Sequence, residues 1–424
     1  MRLFITLFAS LLAIAPLSAE MRGHGGPVRG LAVSPDGAMA ISGSFDTSAI
    51  IWNLEDGAAE QVLRLHEGSV NAVLALGEGR YVTAGEDGRL AFWRAGEAEP
   101  ERVILEHSGP IVALALSPDG SAVASASWDR TVRLTTREGE TLRVLEGHQD
   151  NVNGVAFAPD GAIVTVGYDA TVRIWQADGG TPLVATVPTP LNAVAVTGDG
   201  EIVAAGADGS LRILDLRGEQ LAEIETQGLP IIALGLSHDE KRIAAGSIRG
   251  SVAIIDRESR ETLATLVGPG LPVWSLAFSP DGETLLTGGS DRIVRRWDAQ
   301  TGEHIGPVVM SAPESILTQF EGSRGAEVFR ACAACHTLSP DDGNRAGPTL
   351  HGIFGRQIAT APGYAFSPAL KEMDIVWTPE TVSELFEIGP TLYTPGTKMP
   401  EQKITDPDDR AALMEFLQKA TANR

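Results

Sequence analysis

A tetrapeptide that returns about every 40 residues constrains this chain more than any other feature. Ser34-Pro35-Asp36-Gly37 recurs as Ser117-Pro118-Asp119-Gly120, Ala158-Pro159-Asp160-Gly161 and Ser279-Pro280-Asp281-Gly282. Looser copies stand at Thr197-Gly198-Asp199-Gly200 and Ser237-His238-Asp239-Glu240, and Leu76-Gly77-Glu78-Gly79 holds the equivalent place in a seventh unit. Each unit has one internal order. In the fourth, Gly147-His148 is followed by Val152 to Phe157, the turn, Ile163 to Gly167, Asp169, and Val172 to Trp175. Short runs rich in β-branched and aromatic residues, separated by Gly, Pro and Asp, predict strands joined by hairpins.

These units resemble the WD-repeat family over residues 23–310, which implies an all-β, seven-bladed propeller. Trp52, Trp93, Trp175 and Trp297 end the third strand of their units, and Trp297-Asp298 is the motif that names the family. In that family a histidine, a strand hydroxyl, a turn aspartate and the strand tryptophan hydrogen-bond inside each blade. His148, Thr165, Asp169 and Trp175 match it, as do His24, Ser42, Asp46 and Trp52. A buried carboxylate is tolerable only when its acceptors are filled. His24, His66, His107 and His148 share one place in the repeat, so they read as structural and not as metal ligands. The pattern thins along the chain. Thr135 and Leu214 replace tryptophan in the third and fifth units, and the sixth has Arg249 at the turn aspartate and no matching histidine. A start near Glu20 leaves almost nothing ahead of Gly23-His24 for an outer strand. The segment Glu303 to Met310 is therefore expected to close the ring by pairing with blade one.

The chain's two cysteines, Cys332 and Cys335, are followed directly by His336. Cys-x-x-Cys-His is the attachment pattern of c-type haem. Two thiols at this spacing reach the two vinyl groups on one edge of the macrocycle, and the adjacent histidine turns under the ring to ligate iron. A redox-active Cys-x-x-Cys is the competing reading of the bare motif; it would want a βαβ setting, and none surrounds it.

The sequence around the motif resembles the class I cytochromes c, an all-α family, along the whole of the C-terminal segment. Gly325 and Phe329 precede the motif on a helix, and Gly347-Pro348-Thr349-Leu350 and Gly352-Ile353-Phe354-Gly355-Arg356 follow it. The resemblance implies one covalently attached haem c on Cys332 and Cys335, with His336 and Met399 as axial ligands of the iron. Met399 lies in Pro395-Gly396-Thr397-Lys398-Met399-Pro400, before an amphipathic helix from Pro407 to Ala420. It also implies that the Pro348 carbonyl accepts the second ring proton of His336. Arg356 and Trp377 would contact the propionates, with Thr397 beside the haem. Phe366 departs from the pattern, standing where the family often has a tyrosine bonded to a propionate.

The first 19 residues read as a secretory signal: Arg2, the apolar run Leu3 to Ala15, and Ala19 before Glu20. No later segment approaches the ~20 apolar residues that span a bilayer. The expected organisation is a signal peptide over 1–19, a propeller over 20–310, a linker over 311–320 and a cytochrome c domain over 321–424. A net charge of −22 repels nucleic acid and favours a basic or neutral redox partner. With both axial positions of one haem filled, the expected role is one-electron transfer in the bacterial periplasm, with the propeller as partner-docking platform. The alternatives are an oxidoreductase with its active site on the propeller, or a propeller scaffold carrying a redox sensor.

Overall fold

The computed structural model describes residues 20–421, apart from 98, 106, 227, 268–270, 306–315, 321, 330–331, 333–335, 340–346, 363, 365, 396, 398 and 400–402. The expected signal peptide, much of the expected linker and Cys335 lie outside the described residues. Seven four-stranded antiparallel sheets follow one another as blades of a propeller. Their innermost strands touch in sequence, from Val28–Val33 and Val70–Gly77 round to Val273–Phe278, which returns to Val28–Val33 and closes the ring.

Closure differs from the sequence expectation. The outer strand of the seventh blade is Glu20–Arg22, paired antiparallel with Ile293–Asp298 in the register Glu20↔Arg295, Met21↔Val294, Arg22↔Ile293. Blade one needs no added strand, since it owns Val28–Val33, Met39–Ser44, Ser48–Asn53 and Ala59–Arg64. Three residues suffice because each is anchored. Met21 is fully buried, and the Glu20 carboxylate meets Arg22 at 2.5 Å and Arg295 at 3.4 Å. Of the segment expected to close the ring, His304 makes an isolated bridge to Trp297, and 306–310 lie outside the described residues.

The repeat histidines are structural. In blade four the Trp175 indole N–H donates to Thr165 Oγ1 (2.9 Å), and that hydroxyl meets His148 Nε2 (2.7 Å). His148 Nδ1 lies 2.9 Å from Asp169 Oδ2. An indole can only donate and a carboxylate only accepts, so the chain of bonds is satisfied by a neutral imidazole protonated at Nδ1. Blades one and two repeat it through His24, Ser42, Asp46 and Trp52, and through His66, Thr83, Asp87 and Trp93. Burial alone would raise the Asp46 carboxyl; bonds from His24 and Ser48 outweigh it and hold the group at about 2.

In blades five and six the buried members of the quartet leave together, whereas blade three keeps His107, Ser125 and Asp129 without the tryptophan and blade seven keeps Thr287 and Trp297 without the histidine. Blade five has Ala204 and Leu214 at the hydroxyl and tryptophan places, and blade six has Ala245 and Ile255, all buried. A buried hydroxyl or imidazole without partners costs more than an alkyl group there. The turn aspartate then takes a new partner: Arg212 holds Asp208 at 2.6 Å in blade five, and Arg295 pairs with Asp291 in blade seven.

Burial holds the His148 pKa below its ordinary value, against the pull of Asp169. The unfolded chain therefore takes up a proton near pH ~6.5 that the native blade resists. His148→Ala is expected to cost ~1–3 kcal/mol at pH 8 and to leave haem absorption unchanged. That cost should shrink towards pH 5, because acid already removes the wild-type contribution as pH falls through ~6.5. Urea unfolding followed by far-ultraviolet circular dichroism at the two pH values measures both. A cost that grew in acid would contradict the assignment.

The C-terminal part is helical: Arg324–Phe329, Pro368–Lys371, Pro379–Ile388, Pro390–Tyr393 and Pro407–Ala420. The last matches the helix expected from sequence. Asp406 caps it, accepting from Asp408 N at 2.8 Å, and Pro407 opens it where no intrahelical donor is needed. The first and last helices cross at Gly325, where a Cβ would run into the Ala412 carbonyl and Phe416. Phe329, Leu413, Phe416 and Leu417 form the core beside that crossing.

Candidate functional site

The helix Arg324–Phe329 leads to Cys332, which is buried. The His336 amide donates to the Cys332 carbonyl at 3.0 Å, and both residues line one cavity. His336 Nδ1 lies 2.8 Å from the Pro348 carbonyl oxygen. A carbonyl only accepts, so Nδ1 carries the proton and Nε2 keeps its lone pair for a metal. Gly347 makes this approach possible, because a Cβ there would overlap the His336 ring. Leu350 N–H donates to Thr337 O at 2.8 Å and ties the loop to the histidine segment.

Arg356 and Trp377 sit side by side. Trp377 N–H donates to Arg356 O (2.9 Å), and Gly355 N–H to Trp377 O (2.8 Å). The Arg356 guanidinium donates to Thr349 O (2.6 Å) and His351 O (3.1 Å), and burial lowers its pKa. Neither partner carries charge, so a half-buried cation faces the cavity with room for an anionic group. In the methionine loop, Met399 N–H donates to Thr397 Oγ1 (3.2 Å), and Thr397 N–H to Thr394 O (3.1 Å). Ile404 N–H, bonded to Phe386 O at 2.9 Å, anchors the loop to the helix Pro379–Ile388.

These residues share one cavity of about 540 Å³, lined by Cys332, His336, Pro348, Arg356, Trp377, Thr397 and Met399. Every described residue of the sequence-derived set is therefore brought together; Cys335 lies outside the described residues. The volume falls within the ~300–1,000 Å³ of cofactor pockets. Its described lining is mainly apolar side chains, with the His336 imidazole, the Met399 thioether, the Cys332 thiol and the Arg356 guanidinium among them, a donor set that fits haem c. Sequence reasoning missed Tyr364. Its ring packs edge-on against Phe366, with centroids 4.7 Å apart, and both line the cavity, so a phenol is present although Phe366 departs from the family pattern. A tyrosine two residues away was the available signal. Thr394 was missed as well, since nothing in sequence marks a buried threonine five residues before Met399.

Comparison with known proteins agrees with this geometry. Residues 322–421 match the family model described as Cytochrome c, and residues 16–53, 98–135, 139–176 and 260–298 match the WD domain, G-beta repeat. Cytochrome c of Arabidopsis thaliana is 41% identical over 107 residues, covering 25% of this chain and 95% of that protein. Cytochrome c of Cochliobolus lunatus is 41% identical over 104 residues (24% and 95%), and that of Sesamum indicum 41% over 99 (23% and 88%). All three relatives are eukaryotic.

The fold and the site define a WD-repeat propeller joined to a haem-bearing electron-transfer domain. Through that domain the chain belongs to the cytochrome c family, and it carries one covalently bound haem c.

Proposed function

We propose that this protein is an exported single-haem electron carrier whose propeller docks its redox partner. The observation that carries the reading is the His336 Nδ1–Pro348 O bond inside the same cavity as Met399 and Cys332. Haem c, when bound, supplies a one-electron iron couple. The chain's residues do the rest. Cys332 and Cys335 would hold the macrocycle by thioether bonds, and His336, aimed by Pro348, would be one ligand of the iron. Met399, from a loop fastened by Thr397, would be the other. Arg356 would offer its remaining N–H groups to an anionic edge of the haem beside Trp377. An iron held by both would leave no easy place for a substrate, which favours a carrier over an enzyme. The described propeller histidines at the repeat place are each committed to a blade aspartate, which also weighs against a catalytic metal there.

Arg2, the apolar run Leu3 to Ala15 and Ala19 support export, with the bacterial periplasm as destination. Among the described residues no helix is long and apolar enough to cross a membrane. The net charge of −22 supports a basic or neutral partner.

Attachment is tested by denaturing the exported protein. Haem should migrate with the polypeptide on a denaturing gel and resist acid-acetone extraction. Haem that extracts from the wild type would remove Cys332 and Cys335 from the site.

A further inference from the structure

The haem cavity has a second wall, and the propeller supplies it. Phe45, Trp128, Tyr168 and Trp274 line the same cavity as His336 and Met399, together with Arg29. They occupy equivalent places. Arg29 and Trp274 are the second residues of the innermost strands Val28–Val33 and Val273–Phe278. Phe45, Trp128 and Tyr168 directly follow the second strands Met39–Ser44, Ala122–Ser127 and Ile163–Gly167. In the antiparallel register Val28 pairs with Ser44 and Ile111 with Ser127, so both sets stand at one end of the ring, the mouth of its channel.

The mouth is built, and built apart from the blade networks. Trp52, Trp93, Trp175 and Trp297 donate to blade hydroxyls. Trp128 and Trp274 stand outside those networks. Trp274 donates to Ser290 Oγ at 2.9 Å, stacks 6.1 Å from Phe45 and carries the Arg29 guanidinium 4.9 Å from its ring centre. Trp128 donates to Asn153 Oδ1 at 3.1 Å, yet it stays 40% exposed, and Tyr168 42%. Exposed aromatics held in fixed orientation beside an arginine have the composition of an interface centre.

We propose that this mouth is the dock for the haem domain of the same chain, and that it covers the open side of the haem cavity. The continuous lining names the occupant. Chain length agrees: Ile305 and Ile316 are eleven positions apart in the chain and so lie within ~40 Å of each other. Charge does not drive the contact, since the propeller and the haem domain are both acidic; aromatic burial does. Arg29 brings a cation to the same cavity as Arg356, suited to an acidic edge. An outside partner then either receives the electron across the mouth or displaces the haem domain from it.

The test uses the full-length, haem-loaded protein. A photoreactive benzoylphenylalanine at Tyr168 should cross-link within one molecule to residues 356–370, with a yield independent of protein concentration. In the double variant Trp128→Glu/Tyr168→Glu, backbone deuterium uptake over residues 357–367 should rise about tenfold in rate, while the blade strands stay protected and the haem stays covalently attached. Arg29→Gln, which adds no bulk, should shift the same segment in the same direction by a smaller factor. Cross-links that fall elsewhere on the chain, or form only between molecules, would overturn the proposal. So would uptake in both variants equal to the wild type. No redox partner enters these measurements, so their failure is separate from failure of the partner-docking reading.

Discussion

Met399→Ala is expected to keep its haem and lose its sixth ligand. The attachment cysteines are untouched, and the loop keeps its ties at Thr397 and at Ile404. What disappears is one thioether from a cavity in which His336, the other proposed iron ligand, stays fixed by Pro348. Carbon monoxide should find no position in the wild type and should bind the reduced variant stoichiometrically. The reduction potential should fall, by a fraction of the ~0.8 V range that axial ligands command. Met399 is partly buried against the domain core, so about 2 kcal/mol of stability should go with it, at the low end for truncating an apolar core residue. A carbon monoxide difference spectrum, a redox titration and a melt read the three effects. If the wild type already binds the gas in full and the variant's spectrum matches it, Met399 is not a ligand, and a catalytic haem becomes the better reading.

The parts of this protein that were legible in sequence are those whose chemistry is local. Cys332, Cys335 and His336 must be neighbours in the chain to serve one ring edge and one iron. Likewise, His148, Thr165, Asp169 and Trp175 recur because every complete blade needs the same bonds. Blades five and six were countable despite Leu214 and Arg249, since hairpin spacing survives when the buried quartet is replaced by alkyl groups. Ring closure was misread for the opposite reason. A three-residue strand has no periodicity, and the fitness of Glu20–Arg22 lies in Met21's pocket and in Arg295, 275 positions away in the chain. Trp128 and Trp274 were illegible on the same ground: each reaches the cavity by tertiary placement, and no motif precedes it.

Excising residues 20–310 should leave a sound cytochrome that captures its partner poorly. The haem domain can stand alone. Its core is drawn only from its own residues, with Phe329, Leu413, Phe416 and Leu417 at the centre, and relatives of little more than its length are cytochromes c in their own right. Its absorption and potential should therefore be close to those of the whole protein. Capture is another matter. Residues 321–424 hold 10 Lys and Arg against 14 Asp and Glu, a small part of the net −22. Most of the field that draws in a basic partner thus belongs to the propeller. At low salt the whole protein should react with such a partner at least tenfold faster than the excised domain, within the ~10–10³ that steering supplies. The gap should close as salt rises, since screening shortens the field to ~8 Å at physiological strength. An acidic partner should behave in reverse, slow at first and faster with salt. A small uncharged oxidant separates steering from cover: if the mouth shields the haem cavity, the excised domain should react with it faster than the whole protein at every ionic strength. Stopped-flow mixing across a salt series measures all of this. Equal rates for the two proteins with the basic partner at every salt concentration would show that the propeller is not its dock.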